Sequence, residues 1–282
     1  MAAEALPVGY AETVERVCLP LAERIEGWAV RRPLVVGICG AQGSGKTTLA
    51  AVVARLLADR GLRVARLSLD DLYLSRAERA VLAREVHPLL AVRGVPGTHD
   101  VELGEEVLAT LARAGEAVLP AFDKAADDRA PPAAWPRFRG PADLVLFEGW
   151  CVGARPQPPE ALAEPVNDLE RRQDPQGVWR AYVNDQLAGP YLRLFGRLDR
   201  LVLLQAPGFE VVAGWRREQE RKLRARLARE GGDPARAMSE DQVAAFVAHY
   251  ERLTRHILAE MPGRADLVVR LGADRRPLED LS

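Results

Sequence analysis

Gly40, Gly45, Lys46 and Thr47 stand at the spacing G-x-x-x-x-G-K-[ST], a pattern that cradles phosphate. The chemistry explains each residue type. Gly40, Gly43 and Gly45 allow backbone conformations that a side chain would block, so successive N–H groups turn inward toward an anion. The helix that starts at Lys46 adds its positive end. The Lys46 ammonium is placed to reach β- and γ-phosphates, and the Thr47 hydroxyl to hold Mg²⁺. Residues expected around the phosphates are therefore Gly40, Ala41, Gln42, Gly43, Ser44, Gly45, Lys46, Thr47 and Thr48. A plain glycine turn would leave unexplained the apolar run before it, Leu34 to Cys39, and the helical pattern after it. The spacing implies that the chain binds a nucleoside triphosphate.

Two further acidic positions could complete a reaction. The run Ser68-Leu69-Asp70-Asp71-Leu72-Tyr73 brings two carboxylates to the end of an apolar segment, where a core role is excluded by the cost of burying unpaired charge. Asp also favours turns and helix caps. Beside a phosphate loop, such a carboxylate could instead take the proton of an attacking hydroxyl. Leu144-Val145-Leu146-Phe147-Glu148 is an apolar run ending in an acid, the Walker B arrangement that directs a carboxylate at Mg²⁺.

The elements that must position these groups are legible as periodicities. Apolar runs predict strands at Leu34–Cys39, Val64–Leu69, Asp143–Phe147, Leu201–Leu204 and Leu267–Leu271. Helical spacing predicts helices over Tyr10–Ala29, Lys46–Asp59, Arg76–Arg84, Glu102–Ala114, Trp179–Phe195 (broken at Gly189-Pro190), Glu210–Glu230 and Asp241–Glu260. Nine of twenty prolines lie between Pro131 and Pro175 and predict long loops there. Strands alternating with helices imply an α/β fold, a parallel sheet sandwiched by helices, with ligands beyond the carboxyl ends of the strands. Residues 1–32 form an N-terminal amphipathic helix expected to pack on the core. Residues 33–282 form a single domain with a charged helical lid around 209–232.

Taken together, the phosphate loop, SLDDLY and LVLFEGW resemble the phosphoribulokinase, uridine kinase and pantothenate kinase group of P-loop kinases. HPLL (His87 to Leu90), RGVPGTHD (Arg93 to Asp100), FDK (Phe122 to Lys124), FEGW, GWRREQERKLR and MSEDQVAAFVAHY narrow the resemblance to the D-glycerate 3-kinase family. It covers most of Pro33 to Leu271. The resemblance implies Asp70 as the catalytic base, beside Lys46 and Glu148. It implies ATP and Mg²⁺, the metal set by Thr47 and Glu148. It implies an acceptor pocket bordered by Asp71, Tyr73, Arg93, His99 and Asp100, with Lys124 and Arg129 to hold an acid, and lid arginines Arg216 and Arg221 over the phosphates. The chain departs from the family pattern at Leu72, at Phe122 of FDK, and at Cys151-Val152-Gly153-Ala154 after the EGW. Another small acceptor (a nucleoside, pantothenate or a sugar phosphate) is the alternative, as is a nucleotide-driven switch.

Composition limits the other classes. The 282 residues carry 39 basic and 40 acidic side chains, so no charge excess points to nucleic acid or a membrane surface. Cys18, Cys39 and Cys151 have no metal-ligand spacing and fit a reducing cytoplasm. The start, MAAEALPVGYAE, lacks a basic stretch followed by an apolar core, so no export signal is expected, and no apolar run reaches membrane-spanning length. A small-molecule substrate is the expected partner; oligomeric state is left open.

Overall fold

The computed structural model describes residues 10–29, 33–229, 233 and 237–281. Residues 1–9, where no export signal is expected, the junction 30–32 and the last three residues of the expected lid, 230–232, lie outside the described residues. All five expected strands form one parallel sheet: β1 (Leu34–Gly40), β2 (Val64–Ser68), β3 (Leu144–Gly149), β4 (Arg200–Gln205) and β5 (Leu267–Arg270). Their spatial order is β2-β3-β1-β4-β5. Every residue of β1 and β3 is buried, as required of central strands covered on both faces.

Alternation divides the core in two. Val35, Cys39, Val145 and Phe147 face one side, where they meet Val107, Leu108, Tyr191 and Leu194. Val36, Ile38, Leu144 and Leu146 face the other, against Val17, Leu21, Ile25, Leu49, Val53 and Leu57. Each such aliphatic side chain, fully buried, contributes about 1.5–3 kcal/mol. The helices in chain order are α1 (Tyr10–Thr13, a π turn at Val14–Cys18, and Leu19–Trp28), α2 (Lys46–Asp59), α3 (Arg76–Glu85), α4 (Val101–Leu111), α5 (Asp168–Gln173), α6 (Val178–Ala188) and α7 (Pro190–Phe195); α3 and α5 pack through Leu82 and Leu169 on a separate cluster with Leu89, Leu90 and Trp179. The break between α6 and α7 falls at Gly189, ahead of Pro190. Helix α8, the charged helix expected to form a lid, is Phe209–Arg229.

Two expectations need correcting. The single helix over Asp241–Glu260 is two, α9 (Glu240–Ala248) and α10 (Glu251–Glu260). Between them, His249 N–H and Tyr250 N–H donate to Phe246 and Val247, three residues back, which tightens the turn. That turn drives Tyr250 inward, where it packs edge-on to Trp150 and donates to the Arg93 carbonyl at 3.1 Å. The second lies between α4 and β3, where the sequence pattern assigns no element before Pro131 and long loops beyond it. Gly115–Val118 pairs with Arg137–Gly140, and Phe122–Asp123 pairs with Asp128–Arg129, both antiparallel.

Register then places the chemistry. Ile38 and Ser68 are both paired with Glu148, from either side of β3. The ends of β1, β2 and β3 therefore leave the sheet together, and the glycine loop, Asp70-Asp71 and Glu148 rise from one edge.

Candidate active site

The loop Gly40–Thr47 takes the shape its glycines predict. Gly43 and Gly45 have φ of +79° and +89°, values that L side chains rarely adopt, and Gly45 caps α2 in that conformation. A Cβ on Gly43 would lie 2.7 Å from Cβ of Trp215, so this glycine also lets the lid helix lie against the loop. Trp215 is buried there and donates to the Ala273 carbonyl at 2.6 Å. Inside the loop, the Ser44 hydroxyl and Gln42 Oε1 are buried without a protein partner.

Thr47 Oγ1 donates to Glu148 Oε1 at 2.9 Å. The second oxygen of this buried carboxylate has no partner. A buried, unsatisfied carboxylate oxygen is costly unless a cation offsets it. Thr47 and Glu148 thus fit a hard cation such as Mg²⁺. Among the described residues no group of three or more His, Cys, Asp or Glu could hold a metal.

Asp70 and Asp71 differ in their surroundings. Ser68, rather than either aspartate, caps the turn Leu69–Leu72: its Oγ accepts from Asp70 N–H at 3.3 Å. Burial of Leu69 and Leu72 in the core directs the two carboxylates outward. Asp70 Oδ1 accepts from the Tyr73 hydroxyl at 2.9 Å, and Oδ2 from Lys124 Nζ at 2.6 Å. Burial alone would raise the Asp70 carboxyl, but the ammonium groups of Lys124 and Lys46 and these hydrogen bonds outweigh it, holding the group well below the usual carboxylate range. Asp71 is instead pushed up to about 6 by burial, against the opposing pull of the Phe122 N–H that its Oδ1 accepts at 3.2 Å. Asp71 fastens the Phe122–Arg129 hairpin to the sheet; Asp70 faces the loop.

The remaining residues expected at the acceptor are buried or half-buried, and most are engaged with one another. Tyr73 is buried and stacked on His99 with ring centroids 4.5 Å apart. The His99 Nδ1 lies 2.5 Å from the Tyr191 hydroxyl, which also accepts from Gly97 N–H at 3.0 Å. Burial pushes the His99 imidazole down to about 3, so it is neutral at physiological pH. With Tyr191 accepting from Gly97 and donating to Nδ1, its hydroxyl uses both roles and the imidazole proton sits on Nε2, which is buried without a partner. Asp100 caps α4, accepting from Leu103 N–H at 2.9 Å, and its other oxygen pairs with Arg129 at 2.7 Å. Arg129 also donates to the Tyr73 carbonyl at 3.0 Å. These two residues saturate each other. Arg93 pairs with Asp127 and lies over the Phe122 ring.

On the lid, Arg216 pairs with Glu220, lies over Phe246 and keeps an unpartnered Nε. Arg221 is exposed and lines neither cleft described below. Glu218 and Lys222 form an i,i+4 pair at 2.6 Å on the same helix.

No protein-family model matches this chain. Individual relatives do. The uncharacterized kinase mug58 of Schizosaccharomyces pombe is 36% identical over 230 residues, covering 78% of this chain and 79% of that protein. The chloroplastic D-glycerate 3-kinase of Arabidopsis thaliana is 31% identical over 265 residues, 87% of this chain and 54% of the plant protein. The solved D-glycerate 3-kinase of Cryptococcus neoformans superposes with a TM-score of 0.73 at 28% identity, covering 95% and 97% of the two chains. The chain belongs to the D-glycerate 3-kinase family. It is an ATP-dependent kinase with the P-loop fold.

Two clefts border α8 in this D-glycerate 3-kinase family member. One, of about 360 Å³, runs past Gly43, Ser44, Gly45 and Thr48 between α1 and the turn at Asp274–Arg276. The other, wide and open at about 1240 Å³, is bounded by Arg93, Lys124 and Asp127 on one side and Arg216, Glu220 and Phe246 on the lid side. Sequence reasoning missed the buried Arg79, which ties this second cleft together. It donates to the carbonyls of Leu74 (2.6 Å), Asp127 (3.0 Å) and Ala91 (3.3 Å), and to Asp127 Oδ2 (2.7 Å). On an otherwise charged helix, RAERAVLARE, nothing marks one arginine as interior. Among the described residues no helix is long and apolar enough to cross a membrane.

Proposed function

We propose that this kinase transfers the γ-phosphoryl group of ATP to a hydroxyl of D-glycerate, giving 3-phosphoglycerate. The observation that carries the reading is Lys124, which lines the larger cleft together with Arg93 and reaches Asp70 itself at 2.6 Å. An acidic acceptor needs such cations. A nucleoside acceptor needs an open aromatic face, but Tyr73, His99 and Phe122 are buried against one another. Two relatives named D-glycerate 3-kinase point the same way.

In this reading the triphosphate lies along the N–H groups of Gly40 to Thr48, with the nucleoside in the smaller cleft. Lys46 neutralises charge on the β- and γ-phosphates, and Arg216 approaches from the lid. Thr47 and Glu148 hold Mg²⁺, which when bound neutralises charge developing on the phosphate oxygens. Asp70 orients the acceptor hydroxyl and takes its proton as the oxygen bonds to the γ-phosphorus and the P–O bond to ADP breaks. Asp71, Tyr73, His99, Asp100 and Arg129 shape the pocket wall.

ADP release with Mg·ATP, compared for D-glycerate, L-glycerate, pantothenate, uridine and no acceptor, tests the acceptor. Stimulation by D-glycerate is the expected result, and stimulation by another compound alone discards glycerate. Glu148→Gln is expected to raise the Mg²⁺ concentration for half-maximal turnover about 10–100-fold, by analogy with other groups that orient a metal's ligands. An unchanged Mg²⁺ titration removes Glu148 from the metal.

A further inference from the structure

Lys124 occupies an unusual position for a surface lysine. Its hairpin is held on every side: Phe122 N–H to Asp71 (3.2 Å), Arg76 N–H to Asp128 (3.1 Å), Asp127 to Arg79 and Arg93, and Arg129 to Asp100 (2.7 Å). At its tip, Asp123 Oδ1 accepts from Ala125 and Ala126 N–H at 2.8 and 3.2 Å. The backbone beneath Lys124 is thus fixed, while its side chain stays 60% exposed and pairs with Asp70. The other cations on this cleft have partners away from the reacting groups: Arg93 has Asp127, Arg216 has Glu220 and Lys222 has Glu218. Lys124 alone among these pairs with the proposed base.

The consequence is chemical. With Tyr73 on Oδ1 and Lys124 on Oδ2, both Asp70 oxygens are engaged before any acceptor arrives. A carboxylate held by an ammonium is a poor proton acceptor. A flexible four-carbon stem on a fixed hairpin lets the ammonium exchange one carboxylate for another at little cost.

We propose that Lys124 is a latch on Asp70 that an anionic acceptor releases. Without acceptor, the ammonium blocks Asp70 from activating water against bound ATP. The carboxylate of the acceptor draws Lys124 off Asp70, which frees Oδ2 for the acceptor hydroxyl. One side chain thereby selects for acceptor charge and withholds the base from water. This inference rests on the reading of Asp70 as base and of the acceptor as an acid.

The test is ADP release by the full chain with Mg·ATP alone, in wild type and Lys124→Met. The reaction read is hydrolysis: water bonds to the γ-phosphorus, the P–O bond to ADP breaks, and the proton passes to Asp70. Lys124→Met is expected to raise acceptor-independent ADP release about tenfold or more, the scale of one charged hydrogen bond. It should raise the KM for D-glycerate by a similar factor, whereas Lys124→Arg should keep hydrolysis low. Asp70→Asn added to Lys124→Met should abolish the gain. Hydrolysis unchanged or lower in Lys124→Met overturns the latch, as does a gain that persists without Asp70. Wild-type enzyme that no acid stimulates instead sinks the acceptor assignment, a separate failure. Being exposed, Lys124 can be changed without loss of the fold.

Discussion

Asp70→Asn is expected to lower kcat by about 10²–10⁴-fold while ATP binds as tightly as in wild type, or more so. Asparagine keeps the shape and can still accept from the Tyr73 hydroxyl, so the stacked Tyr73–His99 pair beneath it stays in place. It can neither take a proton nor hold the Lys124 ammonium. The loss therefore falls on the chemical step. Removing a negative charge near Lys46 leaves that lysine freer to engage phosphate, which is why ATP affinity should not fall. Single-turnover kinetics with calorimetric ATP binding separates the two. Wild-type turnover in this variant would remove Asp70 as base. Because the lysines hold Asp70 below the ordinary carboxylate range in the acceptor-free enzyme, it stays ionised there as the pH falls toward 5.

What could be read from the chain and what could not follow from one distinction. Central strands and the P-loop are local statements: Leu34–Gly40 and Leu144–Gly149 are continuous apolar runs, and the glycine spacing is contained in eight residues. Their register then forces Asp70 and Glu148 to one edge, so the placing of much of the proposed catalytic set was legible in the sequence. The acceptor wall is not local. Its hairpin has strands of two residues each, too short to leave a periodic signal, and apart from Phe122 its residues are charged or small. Its shape depends on Arg79–Asp127, Arg93–Asp127 and Arg129–Asp100, which join positions 29 to 48 residues apart. An arginine that will be buried reads, in sequence, like its exposed neighbours.

The same distinction explains why motif membership did not predict availability. His99 and Asp100 adjoin in RGVPGTHD, yet Asp100 is consumed as a helix cap and ion-pair partner while His99 keeps a buried, unpartnered nitrogen. Arg216 and Arg221 are a turn and a half apart on one helix, and only Arg216 faces the cleft. On the core side, Glu170 of α5 pairs with Arg252 at 2.7 Å deep in the fold, so this acid packs rather than reacts.

Lys46→Ala is expected to reduce kcat by about 10²–10³-fold and to weaken ATP binding as well, with no fall in Tm. The two halves of that expectation have separate origins. Lys46 opens α2 directly after the left-handed Gly45, where alanine is at least as good a helix former, so the fold loses nothing. The apolar positions that anchor α2, Leu49, Val53 and Leu57, lie beyond it and are untouched. Chemically, the ammonium bears on both Asp70 and Cys39, which places it at the mouth of the loop between the end of β1 and the proposed base. A fixed positive charge there meets negative charge already present in ATP and further charge that shifts toward the leaving oxygen during transfer. The first interaction governs binding and the second turnover. Asp70→Asn should change turnover alone; Lys46→Ala should change both. Steady-state kinetics over a range of ATP concentrations, with thermal unfolding as the control, distinguishes them. A Lys46→Ala enzyme with wild-type kcat and a raised KM for ATP would confine Lys46 to ground-state binding and shift the burden of charge stabilisation to the lid.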